Sequence, residues 1–180
     1  MINFCTQCGD KVASVIPAGE DRPRGVCQSC GFIHYENPKM VVGCIPVWQD
    51  EILLVRRAIE PRLGLWTLPA GYLENGETMA DGARRETTEE AGADSGELFP
   101  YGLYNLTRVN QIYMMFRTEL LNTDFRGGVE SLEVKLFTEA NIPWDEMAFK
   151  VMHVCLERFL ADRKEDQFPF HTDDIIFQKR

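Results

Sequence analysis

No stretch of this 180-residue sequence approaches the eighteen or so consecutive apolar residues that a membrane-crossing helix needs. The opening residues, MINFCTQCGD, carry neither a basic start nor an apolar leader segment. The first absence excludes insertion as a membrane helix. The second, with four of six cysteines in Cys-x-x-Cys pairs, sets the expectation of a reducing, cytoplasmic compartment. Basic charge is also scarce, since 19 lysines and arginines face 28 aspartates and glutamates, for a formal charge of -9. That balance argues against bulk attraction to nucleic acid or anionic membrane. Internal repeats and low-complexity tracts are missing as well. What remains is 44% apolar and 26% charged, close to the globular average, and it makes one domain of ordinary size with a small appendage.

The appendage is residues 1–38, with four cysteines, three prolines, four glycines and no apolar stretch able to form a core. Cys5 with Cys8 and Cys27 with Cys30 form two knuckles, CTQCG and CQSCG, each closed by a glycine that lets the chain turn tightly and aim its amides at the thiolates. Four thiolates complete a tetrahedral zinc site with no position left for water, so the metal is structural; disulfides or a redox pair are the alternatives. Zinc binding of roughly 10 kcal/mol or more folds a segment too small to fold alone. His34 is read as a loop residue rather than a substitute ligand. Cys44 and Cys155 sit in apolar patterns as buried, inert thiols.

From Met40 the texture becomes α/β. MVVGCIPVW and ILLVR read as a hairpin about the turn Gln49-Asp50-Glu51, and WTLPAGYL (66–73) as one further apolar segment closed by Asn75-Gly76. QIYMMFRTEL and LEVKLF read as strands. A helix is expected over 78–91, with Thr78 answered by Asp81 at its start and Gly92 as its stop. A second is expected over 146–161, where Met147, Val151, Cys155 and Phe159 alternate with Ala148, Met152, Leu156 and Leu160. The tail, 164–180, shows no pattern and is set apart as a C-terminal extension, leaving 39–163 as the main domain.

On the first helix Glu86, Glu89 and Glu90 stand at i, i+3 and i+4 and share one face. Carboxylates so stacked repel unless a cation sits among them, and hard oxygen donors suit Mg2+ or Mn2+ better than zinc. The opposing arc of Met79, Ala80, Ala83, Thr87 and Ala91 is small and mainly apolar. Glu90 falls at its margin, where a partly desolvated carboxylate needs a metal or an arginine. Taken without its flanks, a solvated charged helix face explains the same residues.

The flanks change the balance. Gly71, Glu77, Arg85-Glu86, Glu89-Glu90 and Gly92 fall at the spacing of the Nudix signature, a glycine, five residues, glutamate, seven residues, then REUxEExGU with U aliphatic. The departures are Thr87 at an aliphatic position and the small Ala93 at the last one. The chain is thereby identified as resembling the Nudix hydrolases. The resemblance implies an α/β/α sandwich with a mixed sheet, preceded here by the zinc ribbon. The reaction it implies is hydrolysis of a nucleoside diphosphate linked to another moiety. It makes Glu86, Glu89 and Glu90 Mg2+ or Mn2+ ligands, with the Gly71 carbonyl joining them, and makes Arg85 an orienting partner of Glu77 or another carboxylate. Clustered cations neutralise pyrophosphate oxygens and activate water for in-line attack, and one glutamate takes the proton.

Beyond the signature, FCTQCG, VCQSCG, NPKMVVGC, LGLWTLPAGYLE and ESLEVKLF resemble the FAD and ADP-ribose pyrophosphatases that carry such a ribbon. The related NADH pyrophosphatases usually carry SQPWPFPxS where this chain has NLTRVNQIY. The resemblance adds Glu130 to the metal site, with Glu133 as the fallback and a strand-surface salt bridge as that residue's ordinary use. FAD or ADP-ribose is therefore the expected substrate, giving AMP with FMN or ribose 5-phosphate. NADH, NAD-capped RNA and coenzyme A remain alternatives, as does a non-catalytic ribbon adaptor. The ribbon's three basic against four acidic residues do not suit a nucleic-acid module. Tyr104, Tyr113 and Phe116 are candidates to stack on the base, against a core role. Arg56, Arg57 and Arg62 are candidates to meet phosphate, against solvated surface. Trp66 and Pro69 are read as structural, and homodimerisation follows from the resemblance without a surface to assign it to.

Overall fold

The computed structural model describes residues 2–176, which divide into two compact units, one ending at Pro38 and one beginning at Lys39. The first is a three-stranded antiparallel sheet, β1 (Val12–Val15), β2 (Arg24–Cys27) and β3 (Ile33–His34), in that order. Its two knuckles turn through Gly9 and Gly31, at φ of 79° and 74°. This left-handed backbone is open to glycine without steric cost.

The second unit is an α/β/α sandwich on a mixed sheet. Along the path β10-β5-β4-β9-β8-β11 lie β10 (Ser131–Phe137), β5 (Glu51–Arg57), β4 (Lys39–Trp48), β9 (Gln111–Glu119), β8 (Phe99–Leu106) and β11 (His171–Asp174). The β4/β9 and β8/β11 pairs are parallel and the remaining pairs on this path are antiparallel. Helix α1 (Met79–Ala91) covers one face and α2 (Lys150–Glu165) the other. Because side chains alternate along a strand, Val42 and Cys44 pack with Ala83 of α1, whereas Val41 and Ile45 pack with Val151, Met152 and Leu156 of α2. In β9, Met114 and Phe116 face the first layer and Tyr113 and Met115 the second. A strand buried on both faces reads as an unbroken apolar run, which is why MVVGCIPVW is so conspicuous.

The hairpin β4/β5 closes as Val47 pairs Ile52 and Trp48 pairs Glu51, so Glu51 opens the second strand and the turn is Gln49-Asp50 alone. Below that short contact the two strands part, and the segment 66–72 fills the gap. The expected apolar segment forms two short strands: β6 (Trp66–Thr67) pairs with β5, and β7 (Ala70–Tyr72) pairs with Val41–Gly43 of β4. Between them Leu68 is fully buried and the Pro69 carbonyl accepts from Cys44 N at 3.1 Å. Gly43 permits this approach, because a Cβ there would overlap Ala70 and the Pro69 carbonyl.

Two expectations are corrected. Helix α2 begins at Lys150, not at 146: Trp144–Glu146 form a single 3-10 turn, Met147 follows in extended backbone bridged to Trp66, and Ala148 N donates to the Trp66 carbonyl before the helix starts. The residues from 164 to 176 are not a patternless extension. The helix runs to Glu165, and β11 then closes the sheet beside β8. Residues 177–180 of the expected extension lie outside the described residues. Among the described residues no helix is long and apolar enough to cross a membrane.

Candidate active site and zinc centre

Helix α1 is fixed at both ends by local chemistry. Thr78 caps it, its hydroxyl accepting from Asp81 N at 3.1 Å, and Gly92 ends it at φ 59° with its N–H on the Thr88 carbonyl. Of the small arc expected of this helix, Ala83, Thr87 and Ala91 are buried against the sheet with Gly82 and Glu90, whereas Met79, in the first turn beyond the edge of that contact, is exposed. Thr87, in place of an aliphatic residue, directs its hydroxyl to the Ala83 carbonyl at 2.8 Å, so burial leaves no donor unmet.

The outer arc and strand β7 form the site. Arg85 is its hub. Nε and Nη2 grip both Glu77 oxygens at 3.1 and 2.8 Å, Nη1 donates to Glu86 at 2.7 Å and to Glu89 at 2.9 Å, and Nη2 also reaches the Tyr72 carbonyl. A planar guanidinium serves this fork where an ammonium does not. Its hydrogen bonds hold Glu77 well below the ordinary carboxylate range, at about 2. Gly71 lies against Glu86: a Cβ at 71 would occupy the position of that carboxylate, so the absence of a side chain makes room for the functional group.

Glu90 is 8% exposed and accepts from Ala70 N at 3.0 Å. Burial, with Glu86 and Glu130 adding repulsion, pushes its pKa up to about 7; burial raises Glu86 as well. Glu130 is exposed at the start of β10, in a loop held to the end of α1 by Arg126 N on the Ala91 carbonyl and Gly128 N on the Glu90 carbonyl. Gly128 lies so close to the Glu89 carbonyl that a Cβ would overlap it. Glu133 instead pairs with Arg56 at 3.8 Å on the strand surface.

The carboxylates of Glu86, Glu89 and Glu90 thus share a face without meeting at one point. Among the described residues, only Cys5, Cys8, Cys27 and Cys30 form a group of three or more whose ligand atoms lie within 4.8 Å of one another. Separations of 3.4 to 3.7 Å between Cys5 and Cys30, Cys8 and Cys27, and Cys8 and Cys30 outline the cage. The Gln7 amide points at Cys5 Sγ and the Cys30 amide at Cys27 Sγ, each at 3.4 Å. The Cys30 and Ser29 amides lower Cys27 to about 6, whereas Cys8, despite an amide contact at Asp10, is pushed up to about 12 by its contacts with Cys27 and Cys30. This donor set fits zinc. His34, expected as a loop residue, instead lies in β3, buried edge-on to Phe32, and it stands outside the thiol group as expected.

The stacking candidates are core residues. Tyr104 and Tyr113 belong to the α2-side cluster and Phe116 to the α1-side cluster. Trp66 is core too, edge-on to Phe137 at 4.9 Å. Cys44 and Cys155 are buried thiols raised by burial to about 11 and 12. Of the three arginines, Arg56 is engaged with the Gly64 carbonyl and Glu133. Arg57 donates Nε to the Pro61 carbonyl, lies 5.1 Å over the Phe149 ring, and has a charge that reaches Glu90. Arg62 lines a cavity with Phe149, Lys150 and His153. Sequence reasoning missed the Ala70 amide and Tyr72 carbonyl, which as backbone groups leave no mark in residue type.

Comparison with known proteins follows the same division. Residues 3–36 match the zinc-ribbon model described as Nudix N-terminal, and residues 37–162 match the NUDIX domain. A NUDIX hydrolase structure from Nitrosomonas europaea is 50% identical, covers 97% of this chain and 99% of its own, and superposes with a TM-score of 0.91. Among curated proteins, the ADP-ribose pyrophosphatase of Methanocaldococcus jannaschii is 28% identical over 61% of this chain and 67% of its own length. The NAD-capped RNA hydrolase NudC of Vibrio vulnificus is 25% identical over 92% of this chain and 62% of its own. Against the human 8-oxo-dGDP phosphatase NUDT18, 30% identical over 59% of this chain, the match spans 34% of the relative. The chain thus spans between a third and two thirds of the length of these curated relatives.

Proposed function

The chain belongs to the Nudix hydrolase family, and from that premise we propose that it hydrolyses the pyrophosphate bond of a nucleoside diphosphate derivative, with ADP-ribose or FAD as substrate. The observation that carries the reading is the acidic face of α1, where buried Glu90 has a pKa pushed up to about 7 and one backbone amide as its hydrogen-bond partner. A carboxylate desolvated to that degree is unfavourable unless a cation answers it. Oxygen donors from Glu86, Glu89 and Glu90, with the Gly71 carbonyl and Glu130, suit Mg2+ or Mn2+. Such ions, when bound, neutralise phosphate oxygens and lower the pKa of water.

The protein's own part is positioning. Arg85 fixes Glu86 and Glu89 relative to Glu77, and Gly71 of β7, having no side chain, leaves room for the Glu86 carboxylate. Water attacks phosphorus, the anhydride P–O bond breaks, and AMP leaves with FMN or ribose 5-phosphate. A glutamate of the face accepts the water's proton. In the amino-terminal unit, 1–38, Cys5, Cys8, Cys27 and Cys30 hold a structural zinc.

A second reading, an NADH or NAD-capped RNA pyrophosphatase, is favoured by the NudC match, which spans 92% of this chain. A panel of ADP-ribose, FAD, NADH and coenzyme A, assayed with Mg2+ and with Mn2+, separates the two. ADP-ribose or FAD is expected to show the highest kcat/KM, and a higher value for NADH would overturn the choice of substrate.

A further inference from the structure

Of the seven asparagines in the sequence, Asn75 alone is followed by glycine. The pair forms an exposed turn between β7 and α1, with Gly76 at φ 90° and nothing within 4 Å of where its Cβ would lie. Among the described residues, neither the Asn75 side chain nor the Gly76 N–H has a hydrogen-bond partner. Other asparagines are guarded. Asn105, Asn122 and Asn141 donate their side-chain amides to Asp174, Asp94 and Thr138, and each is followed by a bulkier residue, Leu106, Thr123 or Ile142.

An asparagine so placed reacts with its own backbone. Glycine offers the following nitrogen without a side chain to obstruct it, and an amide that holds no partner is free to give up its proton to hydroxide. The Gly76 nitrogen then bonds to Asn75 Cγ, the Cγ–Nδ2 bond breaks, and ammonia leaves with a proton from water. Water opens the resulting succinimide at either carbonyl. Opening at Cγ gives aspartate, and opening at the main-chain carbonyl gives isoaspartate, whose main chain runs through Cβ and is longer by one carbon. Nothing is oxidised or reduced, and water is the only co-reactant.

The turn lies between fixed ends. Before it, Leu73 N donates to the Met40 carbonyl at 3.1 Å and Glu74 N to Glu77 Oε1 at 2.7 Å. After it, Arg85 grips both Glu77 oxygens and Thr78 caps α1. An added carbon between Glu74 and Glu77 has to displace one of them. The fork from Arg85 is the stronger hold, so the single Glu74 amide contact gives way and Glu77 loses one of its two restraints. We propose that Asn75-Gly76 is a self-modifying site, where spontaneous deamidation to isoaspartate releases Glu74 from Glu77 and loosens the Arg85 hub as the molecule ages. The modification stands on local chemistry alone, and only its effect on turnover rests on the pyrophosphatase reading.

The test ages the full-length protein in mildly alkaline buffer and maps its peptides by a fragmentation that separates isoaspartate from aspartate. Isoaspartate should accumulate at position 75 while Asn105, Asn122 and Asn141 stay intact. In the aged protein the Glu74 amide should exchange with solvent at least about tenfold faster, the loss of one hydrogen bond. Its kcat/KM for ADP-ribose should fall about tenfold, the lower range for a contact that orients ligands. Asn75→Gln should resist both changes, because the longer side chain closes a less favourable ring. Asn75→Asp adds the charge without the carbon, and should keep the Glu74 amide protected and kcat/KM within about twofold of the parent, as for an ordinary surface substitution. An Asn75 that stays intact, isoaspartate with the Glu74 amide still protected, or a Gln variant that ages like the parent would each overturn the proposal. So would an opened Glu74 contact with kcat/KM unchanged. If isoaspartate forms and that contact opens while even fresh protein cleaves no nucleoside diphosphate derivative, the modification site stands and the pyrophosphatase reading falls.

Discussion

The two donor sets of this protein are organised in opposite ways. In the ribbon, four thiols converge within 4.8 Å, and their knuckles are held by backbone amides and left-handed glycines. On α1, three carboxylates share a face but stay apart, and an arginine occupies the space between two of them. The difference is that between a closed site and an open one. Thiolates that surround a metal completely leave it no open position, whereas carboxylates gathered on one side of a cation would leave positions for other ligands. The ribbon has a cluster of four thiols where it lacks an apolar core of its own; the sandwich has an apolar layer on each face of its sheet and carries this acidic cluster at the margin.

The strongest way to break this contrast is at the ribbon. Cys27→Ser should reduce bound zinc from about one equivalent to less than about one half and unfold residues 1–38, because binding worth roughly 10 kcal/mol is their organising term. Metal analysis after removal of loosely held ions, with amide exchange over the ribbon, checks it. An equivalent of zinc retained in a folded ribbon would refute the four-thiolate cage. At the open site, Glu89→Gln or Glu90→Gln should lower kcat by about a hundredfold or more while far-UV circular dichroism stays unchanged, a loss typical of removing one electrostatic element from an active site. Unchanged kcat in both variants would show that the face is only a charged helix surface.

Arg85→Lys probes the hub more gently. It keeps the charge but loses the fork across Glu77, Glu86 and Glu89, and should cost about ten- to a hundredfold in kcat/KM, the usual range for groups that orient ligands. The smallest effect is on stability without added divalent cation. The pKa of Glu90 is about 7 in the folded chain against 4.5 for an ordinary glutamate, so between those values the folded state binds the extra proton. Its contribution to stability therefore falls as pH rises from about 4.5 to 7 and stays unfavourable above. Glu90→Gln should then melt higher than the parent at pH 8, by an amount that shrinks toward pH 5. Equal melting temperatures at both pH values would show that Glu90 is less desolvated than its surroundings imply.

How legible these features were in the sequence follows from how local their causes are. Helix α1 is written in Thr78, Asp81 and Gly92, three residues whose capping chemistry acts within one turn, and its carboxylate face follows from helical spacing alone. The start of α2 was not legible, because Met147 is bridged to Trp66 and Ala148 N bonds the Trp66 carbonyl, while both keep helix-like spacing to the residues after them. Residues 66–73 carry no sign that they split, since the gap they fill is made by β4 and β5 parting elsewhere. Strand β11, HTDD, has no apolar alternation. It is held by distant partners: His171 to Asp162 at 2.6 Å, Asp173 to Arg158, and Asn105 to Asp174.

That last strand also bears on how the fold is completed. Its partner β8 is hydrogen-bonded to β9 on one side and to β11 on the other, so without β11 the outer edge of β8 would be bare. A sheet in that condition is a template for other chains. The four polar residues that close it, three of them acidic or imidazole and none attractive to a stray strand, act as the sheet's own selvedge, finishing a border that the hydrophobic layers cannot finish for themselves.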